Sequence, residues 1–69
     1  MAQVQIDEAK RKEFRHYMLK SGLTFKATAE RMKCNTGNLF RIIREGKTCS
    51  EMTEYKLNEM LEKMKRETE

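Results

Sequence analysis

The 69-residue sequence has no proline, no internal repeat and no low-complexity tract. It has two cysteines, Cys34 and Cys49, and one histidine, His16. Those are too few ligands for a closed four-coordinate zinc site. No apolar run approaches the ~20 residues of a membrane span, and the N-terminus carries no secretory signal pattern. These absences point to a reducing cytoplasm with both thiols free. The cysteines then read as small structural residues rather than a reactive pair. Strand signals are also scarce, and the one alternation, Val4-Gln5-Ile6, is too short to predict a strand. Sixty-nine residues make one domain at most, and a chain this small buries only ~60% of the surface its unfolded form exposes, so its stability is marginal. Below about 70–80 residues, oligomerisation or very regular helix packing commonly adds to the core.

What is present is charge, unevenly placed. Residues 1–47 carry eleven Lys/Arg against five Asp/Glu, a balance of +6, and residues 48–69 carry four against six, a balance of −2. A basic body with a slightly acidic C-terminal segment suits a polyanionic partner met by the first part. A highly charged solvated surface explains the same numbers.

The rest reads as helix with three breaks. The first predicted helix runs from an Asp7 cap to Lys20 and stops at Ser21-Gly22. Phe14, Tyr17 and Met18 form its apolar stripe, with Lys10, Arg11, Lys12 and Arg15 in solvent. The second begins at a Thr24 cap, with Ala27, Ala29 and Met32 as its small or apolar positions. The third starts at an Asn35 cap and ends before Gly46. The fourth follows Ser50, with Glu51 and Glu54 in a first turn where the helix dipole favours acids. Its Leu57, Met60, Leu61 and Met64 recur at helical spacing. That stripe can fold back on the other helices or pair with a second copy. It is too short for a coiled coil, and folding back is favoured for Leu57 and Leu61. Residues beyond Met64 read as frayed or solvated.

"CNTGNLFRIIREGK", residues 34–47, is the stretch with the most to explain. At ~100° per residue, Leu39, Ile42 and Ile43 share a buried side of the third helix. Gly37, Arg41 and Arg44 lie opposite, with Phe40 on the border. A glycine inside a helix costs ~1 kcal/mol relative to alanine, so Gly37 on an outer face suggests close approach by something bulky. Free N–H groups at a helix tip can meet a phosphate, and arginine can pair with guanine at two points. A short helix at 24–32 precedes this one by about three residues. That is helix-turn-helix spacing, in which the first helix supports the second across a DNA groove.

"LTFKATAERMKCNTGNLFRIIREGK", residues 23–47, resembles the helix-turn-helix of lambda-repressor-like DNA-binding proteins, the Cro/CI or XRE family. Ala29 falls on the family's small residue at the helix contact, and Met32 and Cys34 on the apolar positions flanking the turn. Leu39 and Ile42 fall on those anchoring the recognition helix, and Gly46-Lys47 on the pair that closes it. Three positions depart from the pattern. Lys33 stands at a turn position usually glycine, so the left-handed geometry there is either strained or relaxed. Phe25 stands where many members have a phosphate-contacting glutamine, and Thr28 where a leucine is common.

The resemblance implies an all-α fold, a compact bundle of four to five short helices. Residues 1–69 form a single domain with the helix-turn-helix at 24–46 and a C-terminal helix at 51–66. It implies a sequence-specific double-stranded DNA-binding transcriptional regulator, a small cytoplasmic repressor of phage or mobile-element type. Base-reading positions would be Thr36, Gly37, Asn38 and Arg41, with Arg41 the foremost candidate. Thr24, Lys26, Asn35, Arg44 and Lys47 would hold phosphates. Phe40 would touch a thymine methyl or pack against the first helix. A homodimer through the C-terminal helix is a further expectation. No enzyme is expected: His16 has no evident acid or nucleophile partner. Glu51, Glu54, Glu59, Glu62, Glu67 and Glu69 read as a solvated face. No cofactor, metal, membrane or small-molecule substrate is called for. The alternative is a protein-interaction module on the same scaffold, an antirepressor or an inhibitor of another protein machine, docking an acidic surface through Phe40 and the basic face.

Overall fold

The structure is a computed structural model that describes residues 3–68. Glu69 of the expected acidic face lies outside the described residues. Among the described residues the fold is all-α apart from one short strand pair: β1 (Gln3–Val4), α1 (Glu8–Ser21), α2 (Phe25–Met32), α3 (Thr36–Arg44), β2 (Cys49–Ser50) and α4 (Glu51–Thr68). None of these helices is long and apolar enough to cross a membrane.

Local chemistry sets most helix ends. Asp7 precedes α1 as expected, but its side chain makes no capping bond. Gly22, with φ 69°, closes α1 in the left-handed region; its N–H donates to the Leu19 carbonyl, and the Leu23 N–H reaches back to Met18 at 2.9 Å. This doubled bond turns the chain and returns Leu23 to the core. Thr24 caps α2 by accepting the Ala27 N–H at 3.1 Å. Ser50 caps α4 in the same way, its Oγ accepting the Thr53 N–H at 3.2 Å. Beyond Met64 the helix continues rather than ending, with Arg66 and Glu67 exposed as the solvated reading has it. It runs to Thr68, whose hydroxyl donates to the Met64 carbonyl at 2.8 Å, and Lys65 reaches Glu13 of α1 at 3.4 Å.

One cluster of buried side chains joins all four helices: Phe14 and Met18 of α1, Ala29 and Met32 of α2, Leu39, Ile42 and Ile43 of α3, and the whole α4 stripe. Leu57, Met60, Leu61 and Met64 all face this core, so the stripe folds back along its length. Phe14, Leu39, Ile43 and Met64 are among the largest fully buried side chains. Truncating any of them to alanine should cost about 2–5 kcal/mol. Thr28, which stands where a leucine is common in the resembled pattern, is also fully buried. It satisfies its hydroxyl by donating to the Thr24 carbonyl at 2.8 Å.

The strand pair is absent from the sequence reading. Gln3 pairs with Ser50 and Val4 with Cys49, antiparallel. Two residues per strand give no periodicity to detect; the pairing is made by residues more than forty positions apart. It is reinforced beside α1. The Arg11 Nε donates to the Ile6 carbonyl at 3.1 Å, and Gln5 Nε2 to the Gly46 carbonyl at 2.9 Å. Lys10 is likewise drawn in, donating to Asn58 of α4 at 2.6 Å. Lys10 and Arg11 are therefore half-buried rather than solvated, and Arg15 and Glu54 are half-buried as well.

Candidate nucleic-acid interface

α2 and α3 pack directly on each other, and the turn between them fixes how α3 is presented. Lys33 closes α2 at φ 57° and ψ 45°, the left-handed conformation that glycine would adopt without cost. Its N–H donates to the Glu30 carbonyl at 3.2 Å, and the Cys34 N–H to that of Ala29 at 3.0 Å. Of the two possibilities at this position, the turn keeps the left-handed geometry. Ala29, wholly buried, lets the two helices touch.

The Asn35 Oδ1 accepts the N–H of Gly37 at 2.8 Å and of Asn38 at 3.2 Å. The helix tip is therefore less open to a phosphate than its sequence suggests, since two of its free donors already have a partner. This cap also supplies a local reason for Gly37. A Cβ there would lie 3.1 Å from the Asn35 Oδ1, so glycine spares the cap from crowding as well as leaving the outer face low.

Thr36, Gly37, Asn38, Arg41 and Arg44 are all exposed, while Leu39, Ile42 and Ile43 are buried, the division expected of the third helix. The structure brings Asn38, Arg41 and Lys47 to one open groove of about 520 Å³, between α3, β2 and the start of α4. Thr48, Ser50 and Thr53 line the same groove, as do Cys34, Cys49 and Glu45. The three hydroxyl residues were missed in the sequence, where they read only as a connection and a cap. Glu45 is the single carboxylate on this lining and opposes an anion there. Lys47 is fixed at its backbone, its N–H donating to the Arg41 carbonyl at 3.2 Å. Gly46 before it has φ 72°, and the Arg11 guanidinium packs where a Cβ would sit, 3.0 Å from Nη1. The positive φ is what calls for glycine there, since the tip of Arg11 is a flexible side-chain end that can move aside.

Arg44 lies apart from that groove. It lines a second depression with Thr24, Phe25, Leu23, Leu19, Met18 and Arg15. Thr24 and Lys26 are exposed at the start of α2. The Thr24 oxygen accepts the cap bond, which leaves its hydroxyl proton free to donate. Asn35 similarly keeps its Nδ2 donors, since only Oδ1 serves the cap. Phe40 packs against the second helix, not the first: its ring meets Phe25 edge-on at 5.4 Å, and Arg44 lies 5.9 Å above it. The Phe25 position, where a polar phosphate contact was at issue, is thus an aromatic support for α3.

The charge distribution is sharper than the split between halves of the chain. From Phe14 to Arg44 there are seven Lys/Arg and one carboxylate, Glu30. Burial pushes both thiols above the ordinary thiol range. Glu54 adds to that effect at Cys49, and Lys56 opposes it at Cys34. Both cysteines are free. Among the described residues, no group of three or more His, Cys, Asp or Glu is placed to hold a metal. No protein-family model, curated protein or solved structure matches this chain.

Proposed function

We propose that the protein is a sequence-specific double-stranded DNA-binding regulator that inserts α3 into the major groove, in the manner of the lambda-repressor-like proteins its sequence resembles. The observation that carries this reading is the division of α3. One side is anchored by Leu39, Ile42 and Ile43, and the other offers Asn38 and Arg41 to solvent beside Lys47 in one groove. A helix held from behind, with short polar residues at its tip and an arginine one turn later, suits contact with base edges. Thr24, Lys26, Asn35, Arg44 and Lys47 flank it as phosphate contacts, and Thr48 adds a hydroxyl donor along the groove, beside a Thr53 hydroxyl already bonded to the Ser50 Oγ at 3.0 Å. Such contacts position the protein without reading sequence. A small repressor of phage or mobile-element type, working in the cytoplasm, is the role that fits a chain of this kind. The homodimer expected through the C-terminal helix belongs to the same proposal. With the main stripe consumed by the core, Met52 and Tyr55, 66% and 61% exposed, are the apolar side chains of α4 left for it.

The test is selection of random duplex DNA on the full chain, followed by sequencing of what is retained. One enriched motif supports the reading, and retention without a motif, or none at all, overturns it. Binding should also weaken steeply with salt, with a log–log slope near −4 or steeper for about 4–6 neutralised phosphates per chain.

A further inference from the structure

The last turn of α1 carries a side chain that neither the core nor the proposed DNA surface uses. Leu19 is 81% exposed. It borders the depression of about 390 Å³ whose floor is Met18, Leu23 and Phe25 and whose rim includes Arg15 and Arg44. Phe40, 42% exposed and edge-on to Phe25, continues the apolar surface. A solvent-facing leucine and phenylalanine beside an apolar hollow offer a seat for one apolar side chain of another protein. They do nothing for a sugar–phosphate backbone, which is met by cations and hydroxyls.

The charge around the hollow names the partner's sign. Two cations line the hollow, Arg15 and Arg44, and no carboxylate does. Among the described residues, the ion pairs are Lys12–Glu8, Arg31–Glu67 and Lys65–Glu13, so neither of these two cations is paired. An apolar floor with an unneutralised cationic rim complements a chain that carries bulky apolar residues among carboxylates.

We propose that this hollow docks a short acidic amphipathic segment of a partner protein. A leucine or phenylalanine of that segment seats among Leu19, Leu23 and Phe25, and its carboxylates meet Arg15 and Arg44. Thr24 and Arg44 also belong to the proposed phosphate contacts, so such a segment competes with DNA. The docking stands on this surface alone, and only the competition rests on the DNA reading.

The experiment pans a phage-displayed library of random short peptides on the full chain, then synthesises the enriched peptides. They are titrated against the wild-type chain and its Leu19→Gln and Arg15→Gln variants. Both substitutions replace side chains outside the core with good helix formers, and thermal melts verify the fold. Enriched peptides should combine Leu, Phe or Trp with Asp or Glu. Each variant should weaken them at least about tenfold, and amide signals of Leu19, Leu23 and Phe25 should shift on titration. Peptides without acids, equal binding to all three proteins, or shifts confined to another face would overturn the proposal. So would a wild-type dimer that Leu19→Gln converts to a monomer, since the occupant would then be a second copy. Displacement of a selected duplex by the peptide supports the competition, and peptide binding with retention of the duplex overturns that part. A peptide that docks while no duplex binds the chain defeats the DNA reading and leaves the docking intact.

Discussion

Replacing Lys33 with glycine should stabilise the protein. Lys33 is the only non-glycine residue with positive φ among those described, and it sits in the turn that orients α3. An L-residue in the left-handed region carries about 1–2 kcal/mol of strain. Glycine removes that strain but returns about 0.5–1 kcal/mol of conformational freedom to the unfolded chain. The lysine side chain is exposed and makes no ion pair among those described, so little else is lost. The two backbone bonds that close α2, Lys33 to Glu30 and Cys34 to Ala29, involve main-chain atoms and survive the change. The net gain is about 0.5–1 kcal/mol. In a domain of this size that raises the melting temperature by roughly 2–8 °C. Urea denaturation should show a higher midpoint with an unchanged slope. Gly22→Ala is the matched opposite. Its φ is 69° and no atom lies within 4 Å of an added Cβ, so it should lose about 1 kcal/mol for backbone reasons alone. If Lys33→Gly melts at or below the wild-type temperature while Gly22→Ala behaves as stated, the α2–α3 turn has been misdescribed.

Three further outcomes follow from particular contacts. Asn35→Ala should cost about 0.5–2 kcal/mol through loss of the α3 cap. In that background Gly37→Ala should deliver more of the ~1 kcal/mol of helix propensity than it does beside an intact Asn35, whose Oδ1 a new Cβ would approach at 3.1 Å, a difference that a denaturation cycle of the two variants measures. A double-mutant cycle on Phe25 and Phe40 should give a coupling of about 0.5–1.5 kcal/mol for the edge-on pair; a coupling near zero would remove the aromatic support for α3. For the thiols, burial favours the protonated form, so the folded chain holds protons that the unfolded chain releases. That stability is complete below about pH 8.5 and declines as pH rises through the raised folded values. Melting should therefore be indifferent to reductant at neutral pH, alkylation of the native chain slow, and stability lower in alkaline buffer. Stability that instead grew from neutral to alkaline pH would contradict the burial of Cys34 and Cys49.

The parts of the fold that were legible in the sequence are those decided within a few residues. Gly22, Thr24, Asn35 and Ser50 end or start helices through bonds to near neighbours, and each element falls where its cap requires. The division of α3 followed from helical spacing alone. What was hidden depends on distant partners. Val4 becomes a strand residue only because Cys49 lies beside it, and Arg11 leaves solvent because Gly46 leaves room for its guanidinium. Phe40 could be placed on a border but not against Phe25, since that contact depends on how α2 crosses α3. For the candidate interface, the outward residues of α3 were readable. The grouping of Asn38, Arg41 and Lys47 with Thr48 and Thr53, away from Arg44, was not, because it depends on where β2 and α4 pass.

The central claim is that α3 reads bases through Arg41 while Lys47 holds the backbone. The most direct measurement is the affinity of the wild-type, Arg41→Ala and Lys47→Ala chains for a selected duplex and its scrambled counterpart at matched salt. Both residues line one groove, but Arg41 projects from the exposed side of α3 and Lys47 follows the helix end beyond Gly46. Arg41→Ala should cost about 1–3 kcal/mol on the selected duplex, relax discrimination at one base pair, and leave the scrambled duplex nearly unchanged. Lys47→Ala should weaken both duplexes by a similar factor and make the salt slope shallower by about one. Equal weakening of both duplexes by Arg41→Ala would make Arg41 another phosphate contact, and the claim that it reads sequence would be wrong.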